Sequence, residues 1–126
     1  MNLVLDTSII IDHLRGGNQW ELLLSKVKDE ADFYIPTIVI YELFSGKSSK
    51  RPKVIEEIDT FLKNFKRIEL TEKVAKRAGE LYREGGGQAG AADYIVAASA
   101  FEVGASLITL NRRHFQQIPG LSIYPL

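Results

Sequence analysis

The sequence contains no cysteine among its 126 residues. Disulfides, thiolate zinc sites and cysteine nucleophiles are therefore excluded, and any bound metal ion must be held by oxygen or imidazole ligands. Long apolar runs are also missing. The stretch 35–44 includes Pro36 and Glu42 and falls well short of the roughly 20 residues that cross a bilayer. We therefore expect no membrane-spanning segment.

The chain has no excess of charge, because 16 Lys and Arg residues balance 16 Asp and Glu residues. A strongly basic pI, which would favour a polyanionic partner, is absent, so nucleic-acid recognition would have to depend on local patches. The segment Met1–Leu3 leads directly into a strand pattern, without a basic region or a small-residue cleavage site. We expect a cytoplasmic protein.

Apolar patterning predicts strands that alternate with helices in a single domain, 1–126. This alternation is typical of an α/β fold with a mostly parallel sheet covered on both faces. The predicted strands are 3–5, 33–35, 67–70, 106–109 and 122–124. The predicted helices are 7–14, 19–29, 37–44, 54–65, one that begins after the cap Thr71 and runs toward glycines 85–87, 89–103, and a short turn at 112–117.

Three carboxylates stand in apolar surroundings: Asp6 after a buried strand, Glu42 within 38–44, and Asp93 within 91–98. A desolvated carboxylate is costly unless it is protonated, hydrogen-bonded or neutralised. The economical explanation is that the fold gathers all three into one acidic pocket. Such a pocket would attract divalent cations.

Topology favours the same conclusion, because sites in parallel sheets form at the carboxyl ends of the strands. Asp6 and Asn111 closely follow their strands, Glu42 lies on the helix entered from strand 33–35, and the Asp93 helix need only start near that edge. Mg²⁺ or Mn²⁺ prefers carboxylate and water oxygens. A third carboxylate can hold or deprotonate the attacking water, an arrangement suited to phosphodiester hydrolysis.

Each acidic residue also has a structural interpretation. Asp6 can cap the helix that begins at Thr7, and Asp93 can act as an N-cap after Gly90. Glu42 is harder to explain this way, because none of its neighbours at i±3 and i±4 is basic.

Basic side chains that could contact a polyanion occur in two places. Segment 47–53 holds four cations and is equally consistent with a solvated loop. Arg112 and Arg113 follow Asn111 on the predicted rim, where they could bind the phosphates of a strand. His13 and His114 have no second histidine at metal-binding spacing, so we expect structural or solvent-facing roles for them.

These motifs together resemble the PIN-domain ribonucleases, and most closely the VapC-type toxins of prokaryotic toxin–antitoxin pairs. The resemblance spans essentially the whole chain. Its carriers are Leu5-Asp6-Thr7-Ser8, Tyr41-Glu42-Leu43 with Gly46, Asp93 with 95–98 behind it, and Thr109-Leu110-Asn111 with Phe115, Ile118 and 120–121 after it.

The resemblance implies a PIN-like three-layer α/β/α sandwich and a Mg²⁺- or Mn²⁺-dependent endoribonuclease that cuts single-stranded RNA. It also implies a cognate antitoxin protein and a homodimer. Asp6 and Asp93 would bind the metal, Glu42 would complete the acidic centre, and Ser8 and Thr109 would orient ligands or water. The family often has Asp where this chain has Asn111, which supplies a carbonyl oxygen but no charge.

Two other classes use similar residues. A haloacid-dehalogenase-type phosphatase needs a second Asp two residues after its nucleophile, but Ser8 occupies that position, and a receiver domain needs an acidic pair at the first strand, where Asp6 stands alone. The non-enzymatic alternative is a catalytically weak or inactive PIN-like module that binds a partner through its acidic groove. Asn111 favours this alternative, whereas three carboxylates retained in apolar surroundings argue against it.

Overall fold

Four parallel strands form one sheet in the computed structural model of the chain, which describes residues 1–27, 29–85 and 89–126. The sheet order is β3-β2-β1-β4, and all three pairings are parallel. The strands are β1 (Asn2–Leu5), β2 (Asp32–Pro36), β3 (Lys66–Ile68) and β4 (Ser106–Ile108). This sheet, flanked by helices, confirms the predicted α/β class.

The helices alternate with these strands as the apolar periodicity predicts. Their bounds are α1 (Thr7–Leu14), α2 (Gln19–Val27), α3 (Thr37–Ser45), a 3₁₀ helix (Lys47–Lys50), α4 (Pro52–Leu62), α5 (Glu72–Glu84), α6 (Ala91–Glu102) and α7 (Arg112–Phe115). The second helix is predicted to reach Asp29, but α2 ends at Val27 and Asp29 lies in a turn. Residue 28 and the predicted break at glycines 86 and 87 lie outside the described residues. No helix in the described part of the chain is long and apolar enough to cross a membrane.

Two predicted elements differ from the structure. Segment 122–124 is not a named strand, because only Ile123 forms a parallel bridge, to Leu107. The predicted helix 54–65 begins earlier, where Pro52 suits the first helical turn, and it ends at Leu62. Phe65 follows the helical pattern for a different reason: its ring lies 5.4 Å from that of Trp20 in an aromatic cluster. Phe65 is therefore apolar because it packs in this cluster, not because it belongs to the buried face of α4.

Helix α6 lies in the interior, as its small apolar composition predicts. Val96, Ala97 and Ala100 are fully buried, and the Ser99 hydroxyl, also buried, donates a hydrogen bond to the Ile95 carbonyl. Strand β1 is equally enclosed, with Leu3, Val4 and Leu5 completely buried. Since β1 lies between β2 and β4, its end is held on both sides.

The direction of winding changes at the boundary between β1 and β4. The chain adds β2 and β3 on one side of β1 and then returns to place β4 on the other side. Such a switch point opens a crevice at the carboxyl ends of the strands. Leu5 pairs with Ile108 across this boundary, so Asp6 and Thr109 leave the sheet side by side.

The cap at the start of α5 can be tested directly. The Thr71 hydroxyl accepts a hydrogen bond from the Val74 N–H at 3.2 Å, as the sequence predicts for an N-cap. We expect Thr71→Ala to lower the free energy of unfolding by about 1 kcal/mol, measured by urea denaturation. Thr71→Ser, which keeps the oxygen, should retain most of that stability. Equal losses in the two variants would show that the hydroxyl does not cap the helix.

Candidate active site at the switch point

Asp6 follows β1 and occupies the N-cap position of α1, but its side chain makes no capping hydrogen bond. Its carboxylate instead accepts hydrogen bonds at Oδ2 from the Thr109 hydroxyl at 2.7 Å and the Ser8 hydroxyl at 2.9 Å. Its backbone N–H donates to the Ile108 carbonyl at 3.0 Å. The residue is only 5% exposed. The capping interpretation therefore does not account for this carboxylate.

The two hydroxyls on Asp6 are themselves oriented by backbone groups of the segment that follows β4. The Asn111 N–H donates to Thr109 Oγ1 and the Leu110 N–H donates to Ser8 Oγ, both at 2.9 Å. Each hydroxyl thus accepts from the backbone and donates its own proton to Asp6. Ser8 and Thr109 are brought to the site as predicted, with the orientation of Asp6 as their observed role.

Glu42 reaches the same crevice from α3, where the Thr7 hydroxyl donates to its Oε1 at 2.7 Å. Burial raises the pKa of Glu42 above its ordinary value. The Thr7 hydrogen bond opposes this increase, while the negative charges of Asp6 and Asp93 add to it. Their effect on the Glu42 pKa shows that the three carboxylates share one electrostatic environment.

Asp93 is the third residue of α6 rather than its N-cap. Its Oδ2 accepts from the Gly90 N–H at 3.2 Å and lies 3.5 Å from His114 Nδ1. Burial raises the pKa of Asp93, the Gly90 N–H and His114 oppose the increase, and the charge of Asp6 adds to it. The capping interpretation is thus correct in part, since Asp93 does bond the backbone at the start of α6.

The three carboxylates share one structural feature. In each, a single oxygen is held by the protein, while Asp6 Oδ1, Glu42 Oε2 and Asp93 Oδ1 have no hydrogen-bond partner among the described residues. All three line a cavity of about 640 Å³. The complete lining is Asp6, Thr7, Ser8, Ile11, Glu42, Gly90, Ala91, Ala92, Asp93, Leu110, Asn111 and His114. A larger cavity, of about 740 Å³, lies elsewhere, beside Trp20, and contains none of these carboxylates.

The segment after β4 supplies two further side chains to this cavity, Asn111 and His114. Sequence reasoning expected a structural or solvent-facing role for His114, whose side chain is 58% exposed. It did not foresee the Asp93 partner, because it sought a second histidine rather than a carboxylate. Its position three residues after Asn111, one turn along α7, was the available signal. Arg112 and Arg113 do not line the cavity, and Arg112 Nη1 lies 3.5 Å from the Tyr124 carbonyl. Their contact with substrate stays a prediction.

The donor set suits a hard divalent cation. Within residues 1–27, 29–85 and 89–126, no group of three or more His, Asp or Glu side chains could by itself hold a metal ion. Mg²⁺ commonly needs only one or two direct carboxylates and keeps several waters. Asp6 and Asp93, each with one anchored and one free oxygen, satisfy that requirement, so the residues fit such an ion without a complete protein cage.

Replacing Thr109 tests how firmly Asp6 is held. Thr109→Val keeps the side-chain shape but leaves the buried carboxylate without its shortest hydrogen bond, and bonds to charged groups contribute about 1.5–3 kcal/mol. We expect a loss of that size in the free energy of unfolding, measured by urea denaturation. Thr109→Ser keeps the donor and should lose less. Equal stability of the Val and Ser variants would contradict this role.

The raised pKa of Glu42 predicts a pH-dependent stability in metal-free buffer. The folded state keeps the Glu42 proton to higher pH than the unfolded chain, so this group's stabilising contribution is present below the unfolded pKa and is lost as pH rises through the folded pKa. We therefore expect Glu42→Gln to be more stable than the parent at neutral pH in EDTA, with a difference that shrinks in acid. Thermal unfolding at several pH values measures it.

Glu57→Gln, on the exposed face of α4, removes the same charge away from the cavity and serves as the control. A Glu42→Gln variant that is less stable than the parent at neutral pH would contradict the prediction. A difference that grows toward acid would contradict it as well.

Comparison with known proteins identifies the family. A family model described as "PIN domain" matches residues 3–121. Ribonuclease VapC19 of Mycobacterium tuberculosis is 31% identical over 122 residues, an alignment that covers 94% of this chain and 95% of that protein. Ribonuclease VapC1 of Rickettsia felis is 33% identical over 135 residues, covering 98% and 95%.

Solved structures show the same fold. VapBC2 from Rickettsia felis, bound to a DNA fragment from its promoter, contains a chain with a TM-score of 0.85 and 25% identity, with 98% of each chain covered. A toxin–antitoxin complex from Klebsiella pneumoniae gives 0.78 and 25%, covering 98% of this chain and 99% of that one. With a family model over nearly its whole length and ribonuclease relatives at 31% and 33% identity, the chain belongs to the PIN-domain family, in its VapC-type branch.

Proposed function

We propose that this protein is a Mg²⁺- or Mn²⁺-dependent endoribonuclease that hydrolyses phosphodiester bonds of single-stranded RNA in the cytoplasm. The observation that carries the proposal is the convergence of Asp6, Glu42 and Asp93 on one cavity, each with a free carboxylate oxygen. The ribonuclease names of its relatives support RNA as the substrate. The alternative role as an inactive binding module leaves this convergence of free oxygens unexplained.

The hydrogen bonds of the carboxylates indicate which residues would bind the metal and which would position those ligands. Asp6 and Asp93 would hold the metal through the oxygens that the protein leaves free, while Ser8, Thr109 and the Gly90 N–H keep the other oxygens in place. A bound divalent ion lowers the pKa of its water ligand and neutralises phosphate charge. Asn111 adds an uncharged side chain to the rim.

Glu42 is suited to accept a proton from the attacking water. Its raised pKa brings this carboxylate closer to the pH at which a general base works best. The Thr7 hydroxyl fixes one oxygen of Glu42, which lines the cavity, and the other oxygen has no hydrogen-bond partner among the described residues. This assignment gives Glu42 a role distinct from those of Asp6 and Asp93.

We also propose that the protein is the toxin of a toxin–antitoxin pair and that it forms a homodimer. Its structural neighbours include VapBC and toxin–antitoxin complexes, which supports a cognate antitoxin as partner. Several large apolar side chains are exposed, among them Tyr41 at 67%, Tyr82 at 51% and Leu70 at 46%. Leu70 and Tyr82 line one surface cavity together, and grouped exposed apolar side chains favour a protein interface more than scattered ones do.

The decisive experiment is cleavage of a labelled single-stranded RNA with Mg²⁺ or Mn²⁺, compared with EDTA. We expect Asp93→Asn to lower cleavage about 100-fold or more. Removing a residue that only hydrogen-bonds a metal ligand already lowers metal affinity or activity about 10- to 100-fold. Stability in EDTA should be unchanged or higher, because Asn can still accept from the Gly90 N–H and a buried charge is removed. Asp6→Asn should behave in the same way.

Asp59→Asn makes the same chemical change on the exposed surface of α4 and should retain full activity. If the parent and Asp93→Asn cut equally, a contaminating nuclease or a non-catalytic cavity would explain the signal, and the partner-binding alternative would move ahead. A clear loss of melting temperature in metal-free Asp93→Asn would show a mainly structural capping role.

A further inference from the structure

A second cavity, of about 440 Å³, adjoins the acidic one. The two cavities have Ser8, Ile11 and Leu110 in common, so they are contiguous across these residues. From there the second cavity runs along α1 to Arg15 and the turn at Gly16 and Gly17. Nothing in the proposed chemistry uses this space.

The shared boundary is apolar and fixed in position. Leu110 is 42% exposed, an unusual position for a leucine, and Ile11 beside it is half-buried. The Leu110 N–H donates to the Ser8 hydroxyl, which in turn donates to Asp6. The network that orients Asp6 therefore also fixes the backbone of Leu110, a residue that lines both cavities. Apolar walls with a few placed polar groups are typical of ligand sites.

The far end of the second cavity carries an available cation. Arg15 is exposed and forms no ion pair with the described residues. Its acidic neighbour Asp12 is engaged elsewhere, because Asp12 Oδ2 accepts from the Gln19 N–H at the first turn of α2 at 3.2 Å. Apart from His114, Arg15 is the only basic residue that lines either cavity in the described part of the chain.

The turn beyond Arg15 needs two glycines for separate reasons. Gly16 has a φ of +85°, which L side chains rarely adopt. A Cβ on Gly17 would collide with the Asp12 carboxylate. This arrangement keeps the floor of the second cavity free of side chains and leaves Asp12 in place.

From this geometry we infer that the second cavity is a subsite for the nucleotide next to the scissile phosphate, with Arg15 contacting that nucleotide's phosphate and Leu110 and Ile11 packing against its base or ribose. The inference rests on the proposed nuclease function. A strand whose phosphate enters a cluster of carboxylates must be held by cations outside that cluster. Single-stranded RNA is bound in this way, through backbone charge combined with packing on its bases.

The first test measures binding of a short fluorescent single-stranded RNA by anisotropy in EDTA, where cleavage does not interfere. We expect Arg15→Gln to raise Kd about 5- to 10-fold at low salt and to reduce the slope of log Kobs against log salt by about 0.7, the value for one phosphate contact on a single strand. Leu110→Ser should weaken binding without changing that slope, because it removes no charge. Arg83 is an exposed arginine on α5, and the control variant Arg83→Gln should change neither Kd nor the salt slope.

The second test uses RNAs trimmed one nucleotide at a time on each side of a mapped cleavage position. In the parent protein, removing the nucleotide that occupies the subsite should lower kcat/KM. In Arg15→Gln the same trimming should lower it less, because only the packing against Leu110 and Ile11 is left to lose. Melting temperatures of the variants are recorded in parallel, since an arginine after α1 can also stabilise the end of that helix.

If the parent cuts RNA and Arg15→Gln matches Arg83→Gln in affinity, slope and trimming profile, the subsite is refuted while the nuclease function stands. A lower melting temperature of Arg15→Gln without any change in RNA binding would refute it equally, by showing a purely structural role. If the parent neither binds RNA in EDTA nor cuts it with metal present, the nuclease proposal fails, and the subsite fails with it.

Discussion

The site depends on the parallel pairing of β1 with β4. This register sets Leu5 beside Ile108, so that the next residues, Asp6 and Thr109, leave the sheet together and form a 2.7 Å hydrogen bond between a hydroxyl and a buried carboxylate. Hydrogen bonds to charged groups are among the stronger ones in proteins, and leaving such a carboxylate without its donor is costly. A shift of one residue in this pairing would turn Asp6 to the opposite face of the sheet, and the acidic cavity would lose this carboxylate.

The three carboxylates are held in a way that balances stability against chemistry. One oxygen of each is satisfied by a hydroxyl or a backbone N–H, which offsets part of the cost of burial. The second oxygen has no partner among the described residues. The pKa values of Glu42 and Asp93 are raised because the hydrogen bonds offset only part of the cost of burying a charge. A protein selected for stability alone would remove such charges. The divalent cation of the proposed function would account for their presence.

The Ser8 hydroxyl connects the chemistry to the proposed path of the substrate. It donates to Asp6 and accepts from Leu110, the exposed residue that separates the acidic cavity from the one leading to Arg15. A larger cavity, beside Trp20 and Phe61, contributes nothing to this arrangement. The proposed active site is therefore recognised by its converging carboxylates, two of which have raised pKa values, rather than by cavity size.

The sequence by itself determined the elements and the acidic residues, because both leave local signals: apolar periodicity for α6, a hydroxyl at Thr71 before α5, and carboxylates such as Glu42 among apolar neighbours. Only the tertiary structure decided which groups anchor those carboxylates and that His114 and Arg15 line the cavities while Arg112 and Arg113 do not. It also decided that Phe65 packs against Trp20 beyond the end of α4. The reason is physical. The bond between Thr109 and Asp6 joins residues 103 positions apart, and such contacts arise from strand register and helix packing rather than from neighbours along the chain.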